Sequence, residues 1–570
     1  MSSRYIPRQS LDWSSSNPRL QRAIPRREFL ALSSVAAAGV ALGGPRRVWA
    51  IPARSRRAVA SFAPPVFDPE QMRTLATTAI EAATHAGAQF ADIRISELRE
   101  YSPAGFYYGE LMVIFGYGIR VRVNDCDAFV CGVDPTREGV IRATQTAIAA
   151  ARDQAKVSGR GWPLVPTPVV KGEWTSPVKI DPFAISPEDH VVVQNGLRLW
   201  EGRKSGVSAE VSGMAWQGKT QVFASSEGSL VTQRTTRVHL FDGAYLRYSN
   251  WRPDTEATIL VPGIDPQTAG VEALLGDALH AHLEAAVDDF AQLMTYPLAR
   301  AEVGRKDIVL DGHAFGTVLG YTVVPALMLG RALGEEQDSE GTSFLAPPAA
   351  IVGQALFAPA LNLWVESAVP YYGAAQWDDE GVATRTVPLI EGGVVQRYLG
   401  TRASAGACTL ERTTPSSTPA GASDAPASTA GSTLGVAFTS NALSFPAARP
   451  GTLAVRTVSP GPSLAELARM LRNGYLLRNG SAVIDQQGAG GALIRGLLFE
   501  VRDGEIRRRL IGARLEFSTK KLLRTIPALG GSSSVATASH FLTGGLPWNA
   551  TRSTLRAPAV ILKDVNIVTQ

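Results

Sequence analysis

Three adjacent carboxylates, Asp378, Asp379 and Glu380, stand in the run WDDEGVATRTVPLIEGGVVQRYLGTR, which ends at Arg402. Grouped carboxylates can hold a cation or a peptide amine, and they can also serve as acid and base. Their other common use is local, since an Asp side chain caps a turn by accepting from nearby backbone N–H groups. Both uses stay open for Asp378 and Asp379. A catalytic zinc asks for about three protein ligands, and the histidines do not supply them. His280 and His282 lie two apart in a helical stretch, about 200° apart around its axis, so they cannot share an ion. His313 falls near a helix start and reads as a capping or surface residue. Three cysteines are too few for a disulfide scaffold. Cys126 and Cys131 follow a turn signal at Asn124-Asp125, so a hairpin could bring them together. A disulfide and a pair of buried thiols are both open readings.

These residues need elements to place them. At the centre is the stretch Lys306 to Glu335, where a short buried strand, Ile308-Val309-Leu310, enters a helix. Asp311 or Gly312 supplies its N-cap. Ala314, Phe315, Val318, Leu319, Val323 and Val324 then fill nearly every side, and a helix apolar all round is buried. Upstream, Glu70 to Ala86 has helical spacing. Ala91 to Leu98 alternates as a half-buried strand. Glu110–Phe115 and Gly118–Val123 read as two strands, and Thr136 caps a second helix to about Ala151. Further strands follow at Ser208–Trp216, Thr220–Ser225, Ser229–Leu240 and Gly243–Tyr248, after a helix at His190–Trp200. Beyond the acidic run, Ala383–Ile390 and Val394–Leu399 form a hairpin around Glu391-Gly392-Gly393. Cys408 opens a Ser/Thr/Pro/Ala/Gly stretch, residues 408–433, that reads as a mobile surface loop. Ser463 with Glu466 is a capping box, and Asp503-Gly504 is a hairpin turn. Helices and mostly antiparallel strands in this order indicate an α+β fold. The segments divide into an N-terminal domain, 65–265, and a C-terminal domain, 300–570.

The whole chain of 570 residues carries +5. Its first 50 residues hold eight arginines against Asp12 and Glu28, a surplus of six, so the remainder carries −1. A near-neutral body has no electrostatic footprint for nucleic acid. The arginines belong to an export signal: Pro25-Arg26-Arg27-Glu28-Phe29-Leu30 matches the twin-arginine signature. An apolar run, Ala31 to Gly43, follows and is too short to span a bilayer. Cleavage is expected after Ala50, with residues 1–50 removed and the product in the periplasm or cell envelope. No later stretch reaches transmembrane length.

Four segments carry a family resemblance. They are the strand–Asp–buried helix order at Val309-Leu310-Asp311, the stretch Gly116-Tyr117-Gly118-Ile119-Arg120-Val121, the turn Ser225-Ser226-Glu227-Gly228, and the run from Trp377 to Arg402. Together they resemble the TldD/PmbA family, zinc metallopeptidases once called modulators of DNA gyrase. The resemblance covers roughly Pro69 to the C-terminus and implies a two-domain fold with mixed and antiparallel sheets and a buried central helix. In peptidase-type members that helix carries His-Glu-x-x-x-His. Here the hexamer falls on Gly320-Tyr321-Thr322-Val323-Val324-Pro325, or, in a second register, on Gly312 to Thr317 with His313 in the glutamate position. Neither register supplies two histidines. Relatives take a third ligand from a later cysteine, whereas no cysteine follows Cys408 here and only His540 could substitute.

The resemblance therefore implies a protein related to proteolysis with neither a metal nor another cofactor and no catalytic residue at the motif. The expected role is a TldE-like, non-catalytic subunit beside a zinc-bearing TldD-like chain, or a homodimer without one, acting on a peptide substrate. The alternatives are a hydrolase using relocated acidic residues such as Asp378, Asp379 or Glu380, and a stand-alone peptide-binding protein.

Overall fold

The computed structural model describes residues 67–102, 110–158, 161–185, 203–204, 206–211, 214–240, 244–249, 256–261, 266–274, 277–335, 337, 341–413, 433–457, 460–544 and 549–569. The export signal expected at 1–50, the helix expected at His190–Trp200 and most of the loop expected at 408–433 lie outside these residues.

The first layer is built from α1 (Pro69–His85), β1 (Phe90–Ser102), β2 (Glu110–Val123), β3 (Cys126–Gly132), α2 (Arg137–Ser158), β4 (Lys171–Thr175), β5 (Met214–Ser225) and β6 (Leu230–Leu240). The strands form one sheet in the order β3-β2-β1-β5-β6-β4. Both helices lie on it through an apolar cluster that includes Met72, Ala76, Ile93, Ile95, Ile119, Val140 and Ile148. Thr136 caps α2, its hydroxyl accepting from the Gly139 N–H at 3.0 Å.

Two local expectations change, and one open reading is decided. β1 is buried on both faces rather than half-buried, because its polar side chains Asp92, Arg94 and Ser96 are covered too. The two strands expected at 110–123 are one, and Gly116 and Gly118 sit inside it. A Cβ at 116 would meet the Leu443 side chain at 2.5 Å, and one at 118 would meet the Ala442 carbonyl and the Phe129 ring. These glycines therefore admit a neighbouring segment and make no turn. Cys126 and Cys131 lie on the same strand β3, and both are free thiols. Five residues of strand separate them by about 16 Å, and an odd spacing puts them on opposite faces. A disulfide between them is sterically excluded.

The rest of the fold comprises α3 (Asp277–Met294), β7 (Gly304–Leu310), α4 (Gly312–Tyr321), α5 (Val323–Ala326), α6 (Leu329–Ala332), β8 (Leu363–Val365), β9 (Val387–Glu391), β10 (Val394–Val395), α7 (Arg402–Thr413), β11 (Thr452–Val455), α8 (Leu464–Leu471), β12 (Gly474–Arg478), β13 (Ala536–Gly544), β14 (Asn549–Ala557) and β15 (Val560–Thr569). β7 is central in a ten-stranded mixed sheet, parallel to β12 and antiparallel to β15. A second six-stranded sheet runs β10-β9-β8-β11-β14-β13. The α4–α6 segment lies among residues of both sheets in the main apolar cluster. The capping box at the start of α8 is present. Gly392 and Gly393, both at positive φ, close the β9–β10 hairpin. Asp503 and Gly504, likewise at positive φ, make the later turn. The strand expected over Glu505–Phe517 breaks at Gly512, whose φ is +75°. Cys408 corrects the loop reading, because it is buried in α7. Among the described residues no helix is long and apolar enough to cross a membrane.

Candidate functional site

The motif helix α4 begins as its sequence directs. The Asp311 carboxylate accepts from the Ala314 N–H at 2.8 Å and from the Asn479 N–H at 3.0 Å, capping the helix and joining it to the end of β12. Gly312, Gly316 and Gly320 repeat every fourth residue, so they share one face. That face lies on β13 and β14. A Cβ at 312 would collide with the Ala557 carbonyl, and one at 316 would meet the Ala538 Cβ at 3.0 Å and the Leu555 carbonyl at 3.1 Å. The helix breaks at Thr322, whose φ and ψ are −116° and −69°. Pro325 has no N–H to offer the Tyr321 carbonyl, and its ring crowds that position.

Gly320 and Tyr321, on which the first register of the resemblance places the motif's first histidine and its glutamate, face His540 on β13. A Cβ on residue 320 would lie 2.8 Å from His540 Nδ1 and 2.9 Å from Cε1. The Tyr321 and His540 rings are 5.8 Å apart between centroids. His540 is 2 % exposed, and neither ring nitrogen makes a hydrogen bond of normal geometry. Burial pushes its pKa down to about 4, against a smaller upward pull from the Ala538 backbone, so the ring is neutral near pH 7. Ser553, opposite it on β14, also has a buried hydroxyl without a partner.

These residues do not fit a zinc ion. Gly320 and Pro325 carry no donor, and His540 fills the space in front of Gly320. Among the described residues no group of three or more His, Cys, Asp or Glu side chains is placed to hold a metal. His313, the second residue of α4, is half-buried and stands apart from any such group. His282 is exposed on α3, as a surface residue should be, and the side chain of His280 lies outside the described residues.

The acidic run is elsewhere in the fold, at the junction between the first sheet and the C-terminal part. Asp378, Asp379 and Glu380 are each 2 % exposed. Asp378 caps its own turn: Oδ1 accepts from the N–H groups of Glu380 and Val382, both at 2.9 Å, and Oδ2 accepts from Ala437 at 3.0 Å. Asp379 accepts from Gln221 at 2.8 Å and from the Thr439 N–H and hydroxyl at 2.7 and 2.6 Å. Arg94 lies 3.3 Å and Lys219 3.6 Å from it. Glu380 accepts from Arg120 at 2.7 Å and from the Arg402 N–H at 2.7 Å. Arg120 also pairs with Asp92. Arg402 forks onto Glu227 at 2.8 and 2.7 Å, and the guanidinium groups of Arg120 and Arg402 both lie over the Phe90 ring. An external cation or peptide amine would find these oxygens already taken by internal donors.

The burial of so many charges sets their proton affinities. Burial and then the Glu380 charge push Asp378 well above the usual carboxylate range, although three N–H groups pull it down. Burial raises Asp379 as well, but Lys219 and Arg94 more than offset that and leave it low. Burial lowers Lys219 and Arg94 despite Asp379 beside them. Burial also lowers Arg120, yet Asp92 and Glu380 outweigh it and hold the guanidinium firmly charged. The three N-terminal and acidic stretches that carry the resemblance thus meet in one ionic cluster, which includes Arg120, Asp379, Glu380 and Arg402, all buried, and the exposed Glu227. The sequence reading did not single out Arg94, Lys219, Gln221 and Thr439, the partners of Asp379. An alternating strand with a charge on its polar face, such as Arg94 on β1, was the only signal, and it pointed to solvent.

One further polar group outside this cluster also went unread. Glu100, at the end of β1, accepts from Gln217 at 3.3 Å, and burial raises its pKa. Arg552 on β14 acts electrostatically on both Glu100 and Tyr321.

Residues 303–569 match the family model described as the PmbA/TldA metallopeptidase C-terminal domain. Three solved structures share the fold over 87 % of this chain. A candidate modulator of DNA gyrase from Thermotoga maritima matches over its full length, with 13 % identity and a TM-score of 0.62. A second candidate modulator of DNA gyrase, from Bacteroides thetaiotaomicron, matches over 99 % of its length, with 14 % identity and a TM-score of 0.60. TldE from Thermococcus kodakarensis matches over its full length, with 16 % identity and a TM-score of 0.61. No curated protein matches the chain.

Proposed function

The chain belongs to the TldD/PmbA family, and on that premise we propose that it is a non-catalytic, TldE-like subunit of an exported peptidase assembly. One observation carries the reading: helix α4 is capped and buried, and the two positions on which the resemblance places the motif's histidines are Gly320, whose Cβ would meet His540, and Pro325, neither of which offers a donor. A fold retained without its ligands suits a chain that supplies an interface or a chamber wall. A zinc-bearing relative would provide the chemistry, and a peptide would be the substrate. The twin-arginine signature at Arg26-Arg27 supports export of a folded chain, and the near-neutral body gives no reason to expect nucleic acid.

The test is size-exclusion chromatography with light scattering, with and without each relative from the same genome that carries His-Glu-x-x-x-His. A C2-like or pseudo-symmetric pair is expected, with above ~1,600 Å² buried in total if it is permanent; without the partner, a homodimer is expected. A strict monomer at micromolar concentration that ignores every such relative would overturn the reading and leave a stand-alone peptide-binding protein. A hydrolase without the motif is the second reading, and Glu100 favours it. Burial raises the pKa of this carboxyl, against smaller downward pulls from Gln217 and Arg552, and a general acid needs a raised pKa. Peptide hydrolysis by the isolated chain that disappears in Glu100→Gln would select that reading instead.

A further inference from the structure

We infer that the motif helix has exchanged ligation for packing, through a matched pair: the missing side chain of Gly320 and the imidazole of His540. The inference rests on the non-catalytic reading and deepens it, because it says why the site cannot regain a metal by a single change. Three glycines in register bring α4 against β13 and β14, and the third meets a ring instead of a small residue. The imidazole is buried at 2 % exposure without normal hydrogen bonds to hold it, so its place is set by shape. Any side chain at 320 competes with it. A histidine restored at 320 would have to displace His540, and the ion would still lack a donor at 325, where proline stands.

The pair makes a prediction of sign. In a helix interior alanine is favoured over glycine, so Gly320→Ala should stabilise the protein if the space were open. With His540 in place its Cβ must shift a ring held on all sides, and overpacking of this kind destabilises a core. In His540→Ala the same Gly320→Ala change meets a vacancy and should regain the helix preference.

The experiment uses the full mature chain and thermal unfolding of wild type, Gly320→Ala, His540→Ala and the double variant. Gly320→Ala is expected to lower the midpoint by about 2 °C in the wild-type background and to raise it in the His540→Ala background. A rise in both backgrounds, or equal shifts in both, would overturn the inference. So would one equivalent of zinc, taken up from zinc chloride by the wild type and lost in His540→Ala, as measured by elemental analysis. If His540→Ala does not fold, His540→Phe replaces it, and Gly320→Ala must then remain destabilising. Failure here leaves the partner test untouched, since a homodimer or a mixed pair can form whatever packs against Gly320. Failure of the partner test likewise leaves this coupling standing.

Discussion

At the scale of the residue, the buried charges are the most exacting feature. Arg120 is 1 % exposed and answers both Asp92 and Glu380. Arg120→Met would leave two buried carboxylates without their cation, at a cost of about 3–5 kcal/mol, read as a lower urea midpoint. A loss below about 1 kcal/mol would mean that water reaches the cluster. His540 gives a pH signature. Its folded pKa of about 4 lies below the ordinary value of 6.5, so the unfolded chain binds the extra proton between the two. Its contribution is complete above pH 6.5 and fades as pH falls toward 4, by about 3 kcal/mol in all. Urea unfolding of wild type and His540→Leu at pH 7 and pH 4.5 should show a smaller drop in the variant. Equal drops would place the acid sensitivity elsewhere.

At the scale of the element, α4 depends on one residue at its start. Asp311 satisfies a helix N–H and the Asn479 N–H together. Asp311→Ala removes the cap and leaves two buried donors unanswered, which predicts a loss of about 2–3 kcal/mol. Asp311→Asn keeps one acceptor and should lose less. If the two variants unfold alike, the cap is not what holds α4. The glycine repeat explains why this helix is short of large residues on one side, and Pro325 explains where it stops.

At the scale of the whole molecule, the ionic cluster ties the first sheet to the C-terminal part. Asp379 alone connects Gln221 and Lys219 of β5, Arg94 of β1 and Thr439. Asp379→Ala strands two buried cations, and calorimetry is expected to show one transition for the wild type and two for the variant, the weaker part melting first. A variant that melts in one step at the wild-type midpoint would deny the cluster this role. Export belongs to the same scale. The native protein is expected to begin at Ile51 outside the cytoplasm, and Arg26→Lys with Arg27→Lys should hold it inside at full length. An intact N-terminus on wild-type protein from the cytoplasm would refute that.

Features that depend on neighbours along the chain were legible from the residues alone. Asp311 as a cap, Thr136 as a cap, the Ser463–Glu466 box and the Gly392-Gly393 and Asp503-Gly504 turns are all present as read, because a few adjacent residues set their geometry. The family was legible in short segments for the same reason. Tertiary structure decided whatever depends on a distant partner. The polar face of β1 looked solvated until the C-terminal part covered it, and Asp378, Asp379 and Glu380 looked available until Arg94, Lys219 and Arg120 met two of them. Cys126 and Cys131 looked close until one strand carried both. His540 stands far along the chain from Gly320, and only packing brings its ring against the last of the three glycines on α4, where a side chain would have to go.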